Sequence, residues 1–190
     1  MSAEHKATLV KYLQAARDAL VWKLEGLSEY DKRRPMTATG TNLIGLVKHM
    51  AGVEADYFLS CFGQTLDDQP EWMKQEGEVN EDMWAFPSET TNEIVELYRR
   101  VWAVVDEAIE SIDLDTVGHV SWWENSEASL ELLLVHVTAE THRHAGHADI
   151  IREMIDGQTG VWESSPNMPG KSQEWWEAYR SSLERTAKEA

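Results

Sequence analysis

The sequence predicts an all-α protein: a four-helix bundle followed by a short C-terminal helix. Two observations carry this expectation. Four long segments repeat apolar residues every three or four positions, the spacing that lines one face of a helix. Loops join these segments, and β-branched alternation of the kind that marks strands is scarce.

The first helix is expected from about Glu4 to Gly26, with Leu9, Leu13, Ala16, Leu20 and Leu24 on one stripe, before "DKRRPMT" breaks the pattern. The second runs from about Thr41 to Phe62 and stops at Gly63, with Leu46, Met50, Val53, Tyr57 and Cys61 as its apolar face. A long connection follows, "GQTLDDQPEWMKQEGEVNEDMWAFPSE", carrying Trp72 and Trp84. Connections of this length usually serve a site or pack over the body. The third helix starts after Pro87, where Thr90 and Glu93 have the spacing of a capping box, and buries Ile94, Leu97, Val101, Val104, Val105, Ala108 and Ile109. After "SIDLDTVGHVSWWENSE", the fourth runs from about Ser126 to Asp156 and ends at Gly157. Leu130, Leu133, Leu134, Val137, Ile150, Ile151, Met154 and Ile155 mark its buried side. Residues 1–160 are therefore assigned to the bundle. Residues 161–190 are assigned to an extension whose short helix, "QEWWEAYRSSLERTAKE", packs on the same domain.

Composition bounds the function. A chain of 190 residues suits one domain with a sizeable core. Its formal net charge of −17 repels phosphates and anionic lipid, so neither nucleic acid nor a membrane surface is expected as partner. No apolar run is long enough for a membrane span, and the charged N-terminus lacks a signal-peptide core. Cys61, the single cysteine, is expected as a small core residue, with no disulfide and no thiolate-rich metal site. A reducing cytoplasm is the simplest location. No serine–histidine–aspartate arrangement and no phosphate-binding glycine loop stand out.

The chemistry concentrates in "ETHRHAGHAD", residues 140–149. With about 100° per helical residue, Glu140, His144 and His147 fall on one stripe, joined by His136. His142 and Asp149 fall on the opposite side. Glu140 and His144 are four apart, the spacing of neighbours on one helix face. That spacing usually marks a surface salt bridge or a core polar pair, and it also suits two ligands of one metal. A third ligand from another helix would favour the metal. His49, in "IGLVKHMAGVE", is the best candidate, with Gly45 and Gly52 leaving room for an ion or a facing helix. Two imidazoles and a carboxylate suit Zn²⁺ with an open fourth position, and also Ni²⁺, Mn²⁺ or Fe²⁺. His136 and His147 are read as neighbours of the ligands rather than ligands.

These stretches carry a resemblance. "LIGLVKHMAGVEADYF" and "LLLVHVTAETHRHAGHADIIREMIDGQTG" resemble the DinB-like, damage-inducible superfamily of metal-binding four-helix proteins. The resemblance covers most of the chain through Gly160 and implies an up-down-down-up bundle with a divalent metal in its core. It aligns His49 with the first ligand and His144 with the last. Glu140 stands where many members have histidine, which is the pattern of the mycothiol-dependent branch, so the resemblance implies His49, Glu140 and His144 as ligands. It further implies a small-molecule thiol, mycothiol or bacillithiol, and an electrophile as partners, the metal activating the thiol for S-transfer. The isomerase branch carries a further C-terminal domain, and the 30 residues after Gly160 favour S-transferase over isomerase. The alternatives are a non-catalytic metal-binding stress-response bundle, or a thiol-dependent isomerase or hydrolase of the same superfamily. A homodimer through the helix faces is also expected.

Trp122 and Trp123 are candidates for a substrate pocket at the bundle's mouth or for a plug over its core. Arg143 flanks the metal stripe and could meet a carboxylate of the thiol. Arg152 is a second candidate for that carboxylate, and for both arginines a surface salt bridge is the preferred reading.

Overall fold

The computed structural model describes residues 3–74 and 78–190. Its elements in chain order are α1 (Ala3–Trp22), α2 (Glu29–Arg33), α3 (Leu43–Phe58), α4 (Thr91–Ser111), β1 (Val117–His119), β2 (Glu127–Ser129), α5 (Leu130–Asp156) and α6 (Gln173–Glu189). The all-α expectation holds. The strands, three residues each, form one antiparallel hairpin with Gly118 opposite Ala128.

The helices α3, α4 and α5 each start where the sequence offers a cap. Asn42 accepts a hydrogen bond from the Gly45 amide at the head of α3. Thr90 and Glu93 form the expected capping box on α4. Ser129 accepts from the Leu132 amide at the head of α5. This last cap corrects the expected start of the fourth helix at Ser126. Residues 127–129 are drawn into β2, and helical geometry begins only at Leu130. The first and second helices also end early, at Trp22 and Phe58, each followed by a turn.

α3 is the central helix. It packs against α4 and α5, and α5 also carries α1. Twelve of its 16 residues are buried, which explains why burial runs beyond the stripe read from the sequence. A buried polar network ties three helices together. Arg17 of α1 donates from Nε and Nη2 to Glu54 of α3 and from Nη1 to Asp106 of α4, while the Tyr98 hydroxyl of α4 donates to Glu54. Cys61 is buried as expected, and burial pushes its thiol up to about 11.

Two apolar residues expected in the core of α5 are not there: Ile150 and Met154 are exposed. Arg152 takes the inward position instead. It is buried, donates to Asp156, Gln158 and the Lys23 carbonyl, and so is no surface salt bridge. The connection after α3 is pinned across that helix, with residues 75–77 outside the described residues. Buried Lys48 donates to the Trp84 carbonyl and to Glu89, and lies against the Trp72 and Phe86 rings. The two glycines of α3 face this connection. A β-carbon on Gly45 would lie 1.8 Å from the Met83 carbonyl oxygen, and one on Gly52 would touch Trp72 at 3.5 Å. The room they leave is filled by the connection rather than by an ion or a facing helix. No residue of α6 is buried; Trp175 stacks on Tyr179, and Trp176 meets both rings edge to face. No described helix is long and apolar enough to cross a membrane.

Candidate functional site

The stripe read from α5 faces the central helix. Between the two lies a cavity of about 400 Å³, within the range of small-molecule sites. His49, Val53, Asp56 and Tyr57 of α3 form one wall, and His136, Glu140 and His144 of α5 the other. Trp122, from the tip of the β-hairpin, closes one end. A larger cleft of about 760 Å³ lies between α1 and the end of α4, but its polar lining is Lys6 with the carboxylates Asp106, Glu110, Asp113 and Asp115. It offers neither histidine nor nucleophile, so size does not choose the site.

The His49 and His144 rings meet edge to face with centroids 5.0 Å apart. Glu140 Oε2 is 3.9 Å from His144 Nε2, and its other oxygen is 3.8 Å from the exposed Arg143 guanidinium. Both contacts are long, so the Glu140 carboxylate is weakly committed within the protein. His144 Nδ1 is buried without a hydrogen-bond partner among the described residues. Burial, then the neighbouring His49 and His147, lower the His144 pKa to about 4, so its ring is neutral at pH 7. An unpaired buried imidazole nitrogen is costly unless something else occupies it.

His49 is oriented by a residue the sequence did not suggest. Asp82, from the connection pinned by Lys48, lies 2.5 Å from His49 Nδ1. The hydrogen bond from His49 holds the Asp82 carboxyl below its ordinary value, against burial. An ionised carboxylate only accepts hydrogen bonds, so Nδ1 carries a proton, and in the neutral ring Nε2 is the lone-pair nitrogen. This is the carboxylate–histidine arrangement that orients metal-ligating imidazoles.

The remaining sequence candidates divide. His136 lines the cavity and packs on Tyr57 and Trp123 at 5.1 and 4.9 Å. His147 is exposed, with its ring 5.5 Å from that of His144. Trp122 is half exposed at the rim, and its indole and that of Trp123 both reach the Tyr57 hydroxyl. His142 is exposed, and Asp149 pairs with Lys23, both away from the cavity. Asp56 and Tyr57 were missed as site residues. Their signal was present, since they lie about two turns beyond His49 on α3. Burial raises the Asp56 carboxyl, and Asp82 adds to the effect. Asp82 had no signal, because nothing periodic ties a loop residue to a helix.

As placed, no three His, Cys, Asp or Glu side chains among the described residues form a metal cluster. The donor chemistry nonetheless fits a divalent cation: a neutral imidazole with an unpaired nitrogen, a second with its tautomer fixed, and a weakly engaged carboxylate.

The family model for mycothiol-S-transferase matches residues 8–157. The chain belongs to the mycothiol-S-transferase family, a member of the DinB-like superfamily. This agrees with the branch expected from Glu140. Every residue lining the cavity lies inside the span matched to mycothiol-S-transferase, whereas α6 lies beyond it. A comparison with curated proteins finds no match.

Proposed function

We propose that this chain transfers a low-molecular-weight thiol, mycothiol first among the candidates, to an electrophilic carbon in the cavity between α3 and α5. One observation carries the reading. The family match spans a cavity in which His49, Glu140 and His144 face one another, each with a donor atom not fully engaged by the protein. Those three residues would hold a divalent cation, Zn²⁺ first. The same reading takes the four long helices as an up-down-down-up bundle, with residues 161–190 as an extension of that domain.

When bound, such a cation supplies Lewis acidity that favours thiolate over thiol near neutral pH. The protein's own residues do the rest. Asp82 engages His49 at Nδ1, which leaves Nε2 of this cavity-lining ring to serve as the ligand atom. Burial keeps His144 unprotonated and so available as a donor. Trp122, with the Tyr57 and His136 rings behind it, gives the electrophile an apolar wall that keeps water from the thiolate.

The test joins metal analysis to a thiol panel. Protein purified without a His tag is loaded with Zn²⁺, Ni²⁺, Mn²⁺ or Fe²⁺ and assayed with mycothiol, bacillithiol, glutathione and coenzyme A against monobromobimane. The expected result is about one ion per chain, weakened at least 100-fold by His144→Ala, and conjugation with mycothiol that is lost with the ion. Metal-loaded protein that turns over none of the four thiols would leave a non-catalytic metal-binding protein as the better account.

A further inference from the structure

We infer that the Tyr57 hydroxyl is the hydrogen-bond and proton donor to an oxygen of the electrophile, so that the cavity selects epoxides and enones. The inference rests on the thiol-transfer reading above.

Tyr57 lies in the wall of α3 beside the histidine stripe. Its hydroxyl oxygen lies 3.2 Å from Nε1 of Trp122 and 3.2 Å from Nε1 of Trp123. An indole N–H only donates, so both contacts make the Tyr57 oxygen an acceptor. The group then has its own proton left to give. Among the described residues, no acceptor takes that proton. The side chain is buried, and its ring is held by Trp122 at 5.2 Å and His136 at 5.1 Å. The cavity is therefore the place where the proton finds a partner. A hydroxyl with a free choice of partners could turn to accept from a ligand. This one is fixed as a donor before any ligand arrives. Two N–H groups aimed at one oxygen also accommodate the charge left on it when the proton is given up.

The step balances. The thiolate sulfur forms a bond to the electrophilic carbon. In an epoxide the C–O bond breaks and its electron pair goes to oxygen. In an enone the π electrons shift, and the carbonyl oxygen gains the pair. That oxygen takes the Tyr57 proton, giving an alcohol or an enol. The proton released when the thiol ionised restores Tyr57. An alkyl bromide follows another course, because bromide departs with its pair and needs no proton.

The contrast supplies the experiment. Zn²⁺-loaded wild type, Tyr57→Phe and the double variant Trp122→Phe/Trp123→Phe are assayed with mycothiol against cyclohexenone and against monobromobimane. Binding of cyclohexanone, which cannot react, is measured in parallel by NMR titration, with circular dichroism as the check on folding. In Tyr57→Phe the ratio of kcat/KM for cyclohexenone to that for monobromobimane should fall about 100-fold, the scale of a general acid. The Kd for cyclohexanone should rise about tenfold, the scale of one well-placed hydrogen bond. The double variant, which keeps the phenol and loses both indole donors, should shift the ratio in the same direction by less. An unchanged ratio, or equal loss on both electrophiles, overturns the inference and assigns Tyr57 to packing alone. If the wild type conjugates nothing, the thiol-transfer reading fails while the ketone still decides on Tyr57. A tenfold weaker Kd supports the donor, and an unchanged one removes it.

Discussion

His144 shows how a single side chain is tuned by its surroundings. Half-buried beside His49 and His147, it gives up its proton at about 4 in the folded protein, against 6.5 for a free imidazole. Between these values the unfolded chain binds the proton and the folded chain does not. Stability therefore rises with pH across the window from 4 to 6.5 and is lost as pH falls through it. His144→Gln removes this dependence. In chelator-containing buffer, urea unfolding of the variant and the wild type should diverge between pH 7 and pH 4.5. The wild type should lose on the order of 1–3 kcal/mol more, less than the full shift implies because the ring is partly exposed. Parallel losses would show that the cavity imposes no such cost on a charged His144. The same desolvation keeps the ring in the state a metal ligand requires, which links this apo-protein measurement to the proposed chemistry.

At the scale of elements, α3 and the connection draped over it form one unit, and its two glycines separate the contributions. A β-carbon on Gly45 would collide with the Met83 backbone, whereas one on Gly52 meets only Trp72 at van der Waals distance. Gly45→Ala must push residues 81–85 outward. It should destabilise the fold by about 1–3 kcal/mol, as overpacking does, and loosen the Asp82–His49 hydrogen bond. Gly52→Ala should instead stabilise by about 0.5–1 kcal/mol through helix propensity. Thermal unfolding of both variants, with long-range ¹H–¹⁵N spectra to follow the His49 tautomer, checks this. A shared sign would mean that the connection yields freely and does not fix His49. The contrast also explains which parts of the site were legible in the sequence. Periodicity located the helices, and the four-residue spacing on α5 put Glu140 and His144 on one stripe. His49, Asp56 and Tyr57 are likewise related by helical turns. Asp82 and the hairpin tip were not legible, because loop residues reach the site through contacts distant in sequence. The start of α5 was misread because apolar periodicity does not register a strand pair that claims residues 127–129.

At the scale of the molecule, the order of the helices rests on more than apolar packing. Periodicity cannot say which helix is central. In the structure, α3 is, and its buried Glu54 accepts from Arg17 of α1 and Tyr98 of α4. Burial works against the charge on Arg17, and the Glu54 and Asp106 carboxylates together more than offset it, so the guanidinium stays charged with no exposed surface. Such a pair costs desolvation as well as contributing attraction, so its removal as a whole and the removal of one partner should differ sharply. Glu54→Leu strands Arg17 in the core with Asp106 and Gln14 as its remaining hydrogen-bond partners among the described residues, and leaves Tyr98 without its acceptor. A loss of about 3–5 kcal/mol is expected. Arg17→Met strands the carboxylate to similar effect. The double variant Arg17→Met/Glu54→Leu strands no charge at this pair, and should recover at least about 2 kcal/mol relative to the sum of the single losses. A double-mutant cycle by urea unfolding at pH 7 measures that coupling. The network lies on the side of α3 toward α1 and α4, whereas the cavity lies toward α5, so the double variant should keep the His49–Asp82 spectral signature. Additive losses would instead mean that Arg17 and Glu54 stabilise the helices independently, and that their pairing does not set the central place of α3.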